Sequence, residues 1–139
     1  MTVRPGFRPA GLRRGSAMLE VALVLAVLSP LVAGGLRFAY SFYLIHSLQD
    51  AVASAAEYGS GLEYAGAAEF ETAIRAKVAG AEVPRLDPAQ VRVEVQPDAG
   101  GRPAWITVSI RGYSLPTPFS STVLEGKPRA RFPYRLRAP

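Results

Sequence analysis

The sequence predicts an α+β protein. A long N-terminal helix, apolar in its first half, is followed by a short helix and a small antiparallel sheet of about three strands. Three observations carry this prediction. Val21–Leu36 holds 16 residues without a charge, and starting at Ala17 gives 20 residues with only Glu20 charged. A helix needs about 20 apolar residues to span a bilayer. Next, Leu44, Leu48, Ala51, Val52, Ala55 and Tyr58 recur at three- and four-residue steps, an amphipathic helical stripe. Finally the period changes to two: Val91, Val93 and Val95 alternate with Arg92, Glu94 and Gln96, and Ile106, Val108 and Ile110 with Thr107, Ser109 and Arg111.

Each element follows from local chemistry. Residues 1–15 form a basic leader with Arg4, Arg8, Arg13 and Arg14 and no acid. Such a cluster before an apolar run marks a membrane-targeted segment whose basic end stays cytoplasmic. Helix is predicted over 16–58, which is 43 residues and about 64 Å at 1.5 Å per residue. The membrane-spanning part is about 17–36 and the extension 37–58. Phe38, Tyr40, Phe42 and Tyr43 fit the headgroup belt, and Arg37 can snorkel to it. Pro30 removes a backbone hydrogen bond and is expected to kink or locally melt the helix, with Gly34 and Gly35 loosening it further. A buried core helix is the competing reading of this segment.

The remaining residues, 59–139, read as a small α+β head. Gly59-Ser60-Gly61 is expected to end the long helix. A second helix is expected at Ala67–Val78, with Phe70, Ile74 and Val78 on one face. Pro97–Gly101 is a turn, and the stretch with Pro116, Pro118, Ser120 and Ser121 a loop. In the last strand Ala130, Phe132, Tyr134 and Leu136 alternate with Arg129, Arg131, Pro133, Arg135 and Arg137, and Pro133 points to a sheet edge. The sheet is expected to bury its Val/Ile face against Leu44, Leu48 and Val52.

Composition narrows the chemistry. The 139 residues include no Cys and one His, which removes disulfides, thiolate nucleophiles and Cys or His-pair metal sites. A Ser/His/Asp triad would have to use His46, which lies in an apolar segment and reads as a helix-surface side chain. There is no Gly-rich phosphate loop and no acid pair at catalytic spacing, so no catalytic residue, metal or cofactor is expected. The net charge of +5 comes from the two ends of the chain. Between Phe38 and Gly126, ten acids outnumber six bases. No nucleic-acid partner is expected, since no binding motif accompanies either cluster. The C-terminal cluster reads as the wet face of a strand, with acidic lipid headgroups or an acidic partner as the functional alternative.

Glu20 is the residue that asks for an explanation. A carboxylate at the start of a membrane helix costs several kcal/mol without a partner. The upstream Arg side chains are one possible partner. Another is a free α-amino group made by cutting between Gly15 and Ser16, which would leave Glu20 as the fifth residue of the new chain. In a bundle of subunits, Glu20 of one copy could then pair with the Ser16 ammonium of its neighbour.

Basic residues, a glycine, small residues and then Glu before an apolar helix resemble the class III signal of type IV pilins and pseudopilins. The order Arg13, Arg14, Gly15, Glu20, Ala22, Leu23, Pro30, Leu31 is similar to that of TadE-like pseudopilins of tight-adherence (Flp) pilus systems. Residues 46–60, HSLQDAVASAAEYGS, resemble that family's small-residue helix end. Val21 stands where the family usually has Phe. The resemblance implies a non-enzymatic minor pilin held in the inner membrane or entering the pilus, with its N-terminus cytoplasmic and its head outside. The family's major pilins are much shorter. It implies as partners a prepilin peptidase, other pilins, the inner-membrane assembly platform and membrane lipid. Two alternatives remain: an exported soluble protein cleaved before Leu36, after the small residues Ala33 and Gly35, and a simple bitopic anchor protein with an extracytoplasmic binding module.

Overall fold

No proline interrupts the stretch from Gly11 to Ser29, and Leu12, Arg13 and Arg14 are good helix formers. In the computed structural model, which describes residues 11–63 and 66–135 and side chains from residue 15, helix α1 accordingly spans Gly11–Ser60. It starts earlier than the expected Ser16. It also runs through Pro30 unbroken, so Pro30 does not melt it. One lost bond, from position 30 to the Ala26 carbonyl, is offset by the intact turns on either side. The chain divides into two compact units, Met1–Leu36 and Arg37–Pro139.

In the second unit α1 buries Leu44, Leu48, Ala51, Val52, Ala55 and Ala56. Tyr58, expected on this stripe, is 44% exposed, and the Lys77 ammonium lies 5.6 Å from its ring centroid. Gly59 takes its place, and the helix ends at Ser60, within the expected Gly59-Ser60-Gly61 stretch. A β-carbon on Gly59 would come within 2.8 Å of Ile74 Cδ1, so its small size lets α2 approach. Helix α2, Ala67–Ala79, buries Phe70, Ile74 and Val78 as its spacing predicts.

Between α2 and the sheet the chain crosses a short connection. Val83 is buried, and the Tyr113 hydroxyl donates to the Pro84 carbonyl at 2.9 Å. Burial, helped by nearby Tyr40 and opposed by Arg85, raises the Tyr113 pKa above its usual value. Asp87 caps a 3₁₀ turn at Pro88–Gln90, accepting from the Ala89 amide, while the Gln90 side chain accepts from the Asp87 amide.

Strands β1 (Val91–Pro97), β2 (Pro103–Pro116) and β3 (Ser121–Pro133) form an antiparallel sheet in the order β1-β2-β3. Ile106, Val108 and Ile110 of the central strand are fully buried with Val91. Each such side chain contributes roughly 1.5–3 kcal/mol. Leu124, Ala130, Phe132 and Tyr134 pack against the same core from the β3 side. Pro133 lies on an edge strand, as expected, because β3 pairs only with β2. Leu136 and Arg137 lie outside the described residues.

The hairpin is longer than the alternation predicts. Its period breaks at Arg111-Gly112, where both residues are exposed and the β2–β3 register shifts. Gly112, at φ 75°, is the extra residue of this bulge. It restores the phase, so Tyr113 and Leu115 face the core again. Only Thr117–Ser120 remains outside the strands where a longer loop was expected. Two further bonds tie the end of the described chain to the end of α1. The Arg135 amide donates to the Ser60 carbonyl at 2.9 Å, and the Tyr134 hydroxyl to the Leu62 carbonyl at 2.5 Å.

A β-carbon on Gly112 would meet nothing within 4 Å, so replacing it tests the backbone alone. Gly112→Ala should lower stability by roughly 1–2 kcal/mol, the cost of a left-handed conformation for an L-residue. Gly112→Asn should cost less. Urea unfolding in detergent, followed by the fluorescence of Trp105, measures both; an unchanged Ala midpoint would mean the bulge carries no constraint.

Candidate functional site

Two surfaces stand out, and they differ in chemistry. The first is the apolar part of α1. Met18, Leu19, Val21, Leu23, Val24, Leu25, Val27, Leu28, Leu31, Val32 and Leu36 are each at least half exposed. None of the apolar window is buried within the chain, and the helix is long and apolar enough to cross a membrane by length and composition. A helix hydrophobic all round calls for an apolar surrounding on every side. Glu20 lies one turn after Ser16 on this surface, and both are exposed. The Glu20 carboxylate makes no ion pair with any described residue. Gly15 is helical and its α-carbon faces open space. Pro30 lies in the same apolar stretch, and Gly34 and Gly35 likewise have open space beside them. Arg4 and Arg8 lie outside the described residues, as do the side chains of Arg13 and Arg14.

The second surface is the outer face of the sheet. Register sets long charged side chains on both sides of small hydroxyls: Arg92, Ser109 and Arg129 form one row, Glu94, Thr107 and Arg131 the next. Thr107 and Ser109, read from alternation as outward, are buried beneath this canopy at 1% and 8% exposure. The Thr107 hydroxyl has no hydrogen-bond partner among the described residues. The canopy is held by Arg92–Glu94 and Arg111–Glu125 pairs, each 3.0 Å, and encloses a shallow depression of about 300 Å³. Beside it Arg131 lies 4.4 Å over the Trp105 ring and donates to Gln96 at 3.0 Å. These ion pairs are solvent-exposed and contribute at most about 1 kcal/mol each. Strand alternation shows which residues leave the core; it does not show that longer neighbours will cover them.

Among the described residues, no group of His, Asp and Glu side chains is placed to hold a metal ion. His46 is exposed on α1, its ring 6.0 Å from that of Phe42. The chain matches no family model, no curated protein and no solved structure.

A charge in the middle of the apolar stretch tests what surrounds it. Val27 is 62% exposed. Val27→Arg should cost about 2.5–3.5 kcal/mol if the position lies in hydrocarbon. The membrane-integrated fraction after alkaline extraction should fall sharply, whereas a helix standing in water would accept the change without loss.

Proposed function

We propose that this chain is a TadE-like pseudopilin, a minor pilin needed to assemble a tight-adherence type pilus and without enzymatic activity. The observation that carries the reading is Glu20: one carboxylate, without an ion pair among the described residues, on an exposed apolar helix segment five residues past Gly15. A group so placed needs a counter-charge from outside the described chain, and the ammonium of a processed neighbour supplies one. The apolar helix supports a single-pass anchor in the inner membrane. The basic leader puts the N-terminus in the cytoplasm and the head outside. The partners on this reading are a prepilin peptidase acting between Gly15 and Ser16, other pilins packed along the N-terminal helix, the inner-membrane assembly platform and membrane lipid.

Processing is tested at the mature N-terminus. Ser16 is expected; Leu36 would indicate a secretory signal peptide, and Met1 an unprocessed anchor. Gly15→Ala should leave a slower-migrating precursor in the membrane, and normal maturation of that variant at Ser16 would remove the glycine from the motif.

The charge pairing is tested by Glu20→Gln. If Glu20 only starts the helix, the change is mild. If it meets a neighbour's Ser16 ammonium, a buried cation is left unpaired at a cost of about 3–5 kcal/mol per contact. Membrane insertion should survive while co-purification with pilin partners and the pilus count both fall. Full recovery of both would rule out the pairing.

A further inference from the structure

The geometry points to a second membrane contact: the tip of the β2–β3 hairpin, led by Phe119, inserts into the interface of the same bilayer that holds α1. This rests on the reading of residues 17–36 as membrane-spanning.

Phe119 is 97% exposed, the most exposed large apolar side chain among the described residues. Its position is fixed by a tight turn. The Thr117 amide donates to the Ser120 carbonyl at 2.8 Å, and the Ser120 amide donates to the Thr117 hydroxyl at 3.1 Å. Pro118 precedes it and restricts the backbone further. The phenyl ring is therefore held outward on a closed support.

The turn is also fastened to one level of α1. Arg37 Nη1 donates to the Pro118 carbonyl at 3.4 Å, and the buried Ser41 hydroxyl reaches the Pro116 carbonyl. Arg37 follows Leu36, the last residue of the apolar run, in one unbroken helix. Phe38, Tyr40, Phe42 and Tyr43, all about half exposed, come next. Amphipathic and aromatic side chains at that point belong to the headgroup level. The hairpin thus brings Phe119 to the height of the aromatic belt from a separate part of the chain.

Charge agrees with this placement. Gly112–Leu124 contains no Asp, Glu, Lys or Arg across 13 residues, and Phe38–Gln49 none across 12. Elsewhere the head carries charge on most exposed faces, including the Arg/Glu canopy at the other end of the hairpin. An uncharged end with Arg37 as its cation meets no repulsion from anionic headgroups, and an apolar ring there is removed from water by entering the acyl boundary.

The test uses the full chain in lipid vesicles. Trp105→Phe removes the only tryptophan; on this background Phe119→Trp and, separately, Leu28→Trp each place one reporter. Circular dichroism matching the wild type establishes that both fold. The expected result is a blue-shifted emission at position 119, loss of acrylamide access, and quenching that is strongest with bromines near the headgroups. Position 28 should be quenched most by bromines deep in the acyl chains. If position 28 is quenched and position 119 stays open to acrylamide and untouched by bromolipids, the tip contact is overturned while the anchor stands. Shielding of position 119 from acrylamide without bromolipid quenching would assign it to a protein neighbour and also overturn the proposal. An unquenched position 28 would remove the spanning helix and, with it, the tip contact.

Discussion

Gly59 lies so close to α2 that a single β-carbon would press on Ile74 and Phe70. The head is arranged around that approach. Beside it, Ala51 and Ser54 of α1 and Ala76, Lys77, Gly80 and Ala81 line an open depression of about 250 Å³. On another side of α1, Val52 belongs to the core against which Ile45 and the β3 residues Leu124 and Ala130 pack. One helix therefore supports a close helical neighbour at Gly59 and a sheet along larger residues. With a side chain at Gly59, Ile74, fully buried here, would have to shift.

The bulge at Gly112 serves the same arrangement at the other end. A strand that kept strict alternation past Ile110 would turn Tyr113 and Leu115 to the wet face. The extra residue returns them to the core, where the Tyr113 hydroxyl also secures the 82–86 connection through Pro84. The hairpin can then extend to Pro116 with an inward apolar edge and reach α1 at Ser41. One backbone irregularity thus links the sheet, the connection and the Arg37 end of the helix.

The architecture was legible because its elements have strong periods. The α2 face of Phe70, Ile74 and Val78 and the inward residues of β1 and β2 follow directly from spacing. The long helix was legible from composition, since nothing else explains so long an uncharged run. What escaped were features set by tertiary contact. Gly59 reads only as part of the stretch that ends α1, which it is, and its packing against Ile74 is set by the fold. Gly112 interrupts alternation, so the second half of the hairpin looked like loop. Thr107 is buried by the length of its cross-strand neighbours, and register cannot be read from one strand alone. The candidate site at Gly15, Ser16 and Glu20 was visible as a motif. On the proposed reading, its chemistry depends on a partner that no single chain contains.

The bonds from Arg135 and Tyr134 to Ser60 and Leu62 join segments separated by more than 70 residues. They have a consequence for the order of events during synthesis. A ribosome delivers α1 first, and the buried Ser60 carbonyl then waits for its donor until residue 135 has emerged. β3 supplies the last row of the sheet and the residues just after it this closing bond, so the head completes as a late, long-range event. Until then the Leu44–Ala56 stripe has α2, β1 and β2 but not β3 to cover it, and the half-formed head is a sticky intermediate of the kind that binds chaperones or other chains. On a chain whose first half is itself apolar, the interval between emergence of α1 and arrival of β3 is the period of greatest exposure to misassembly.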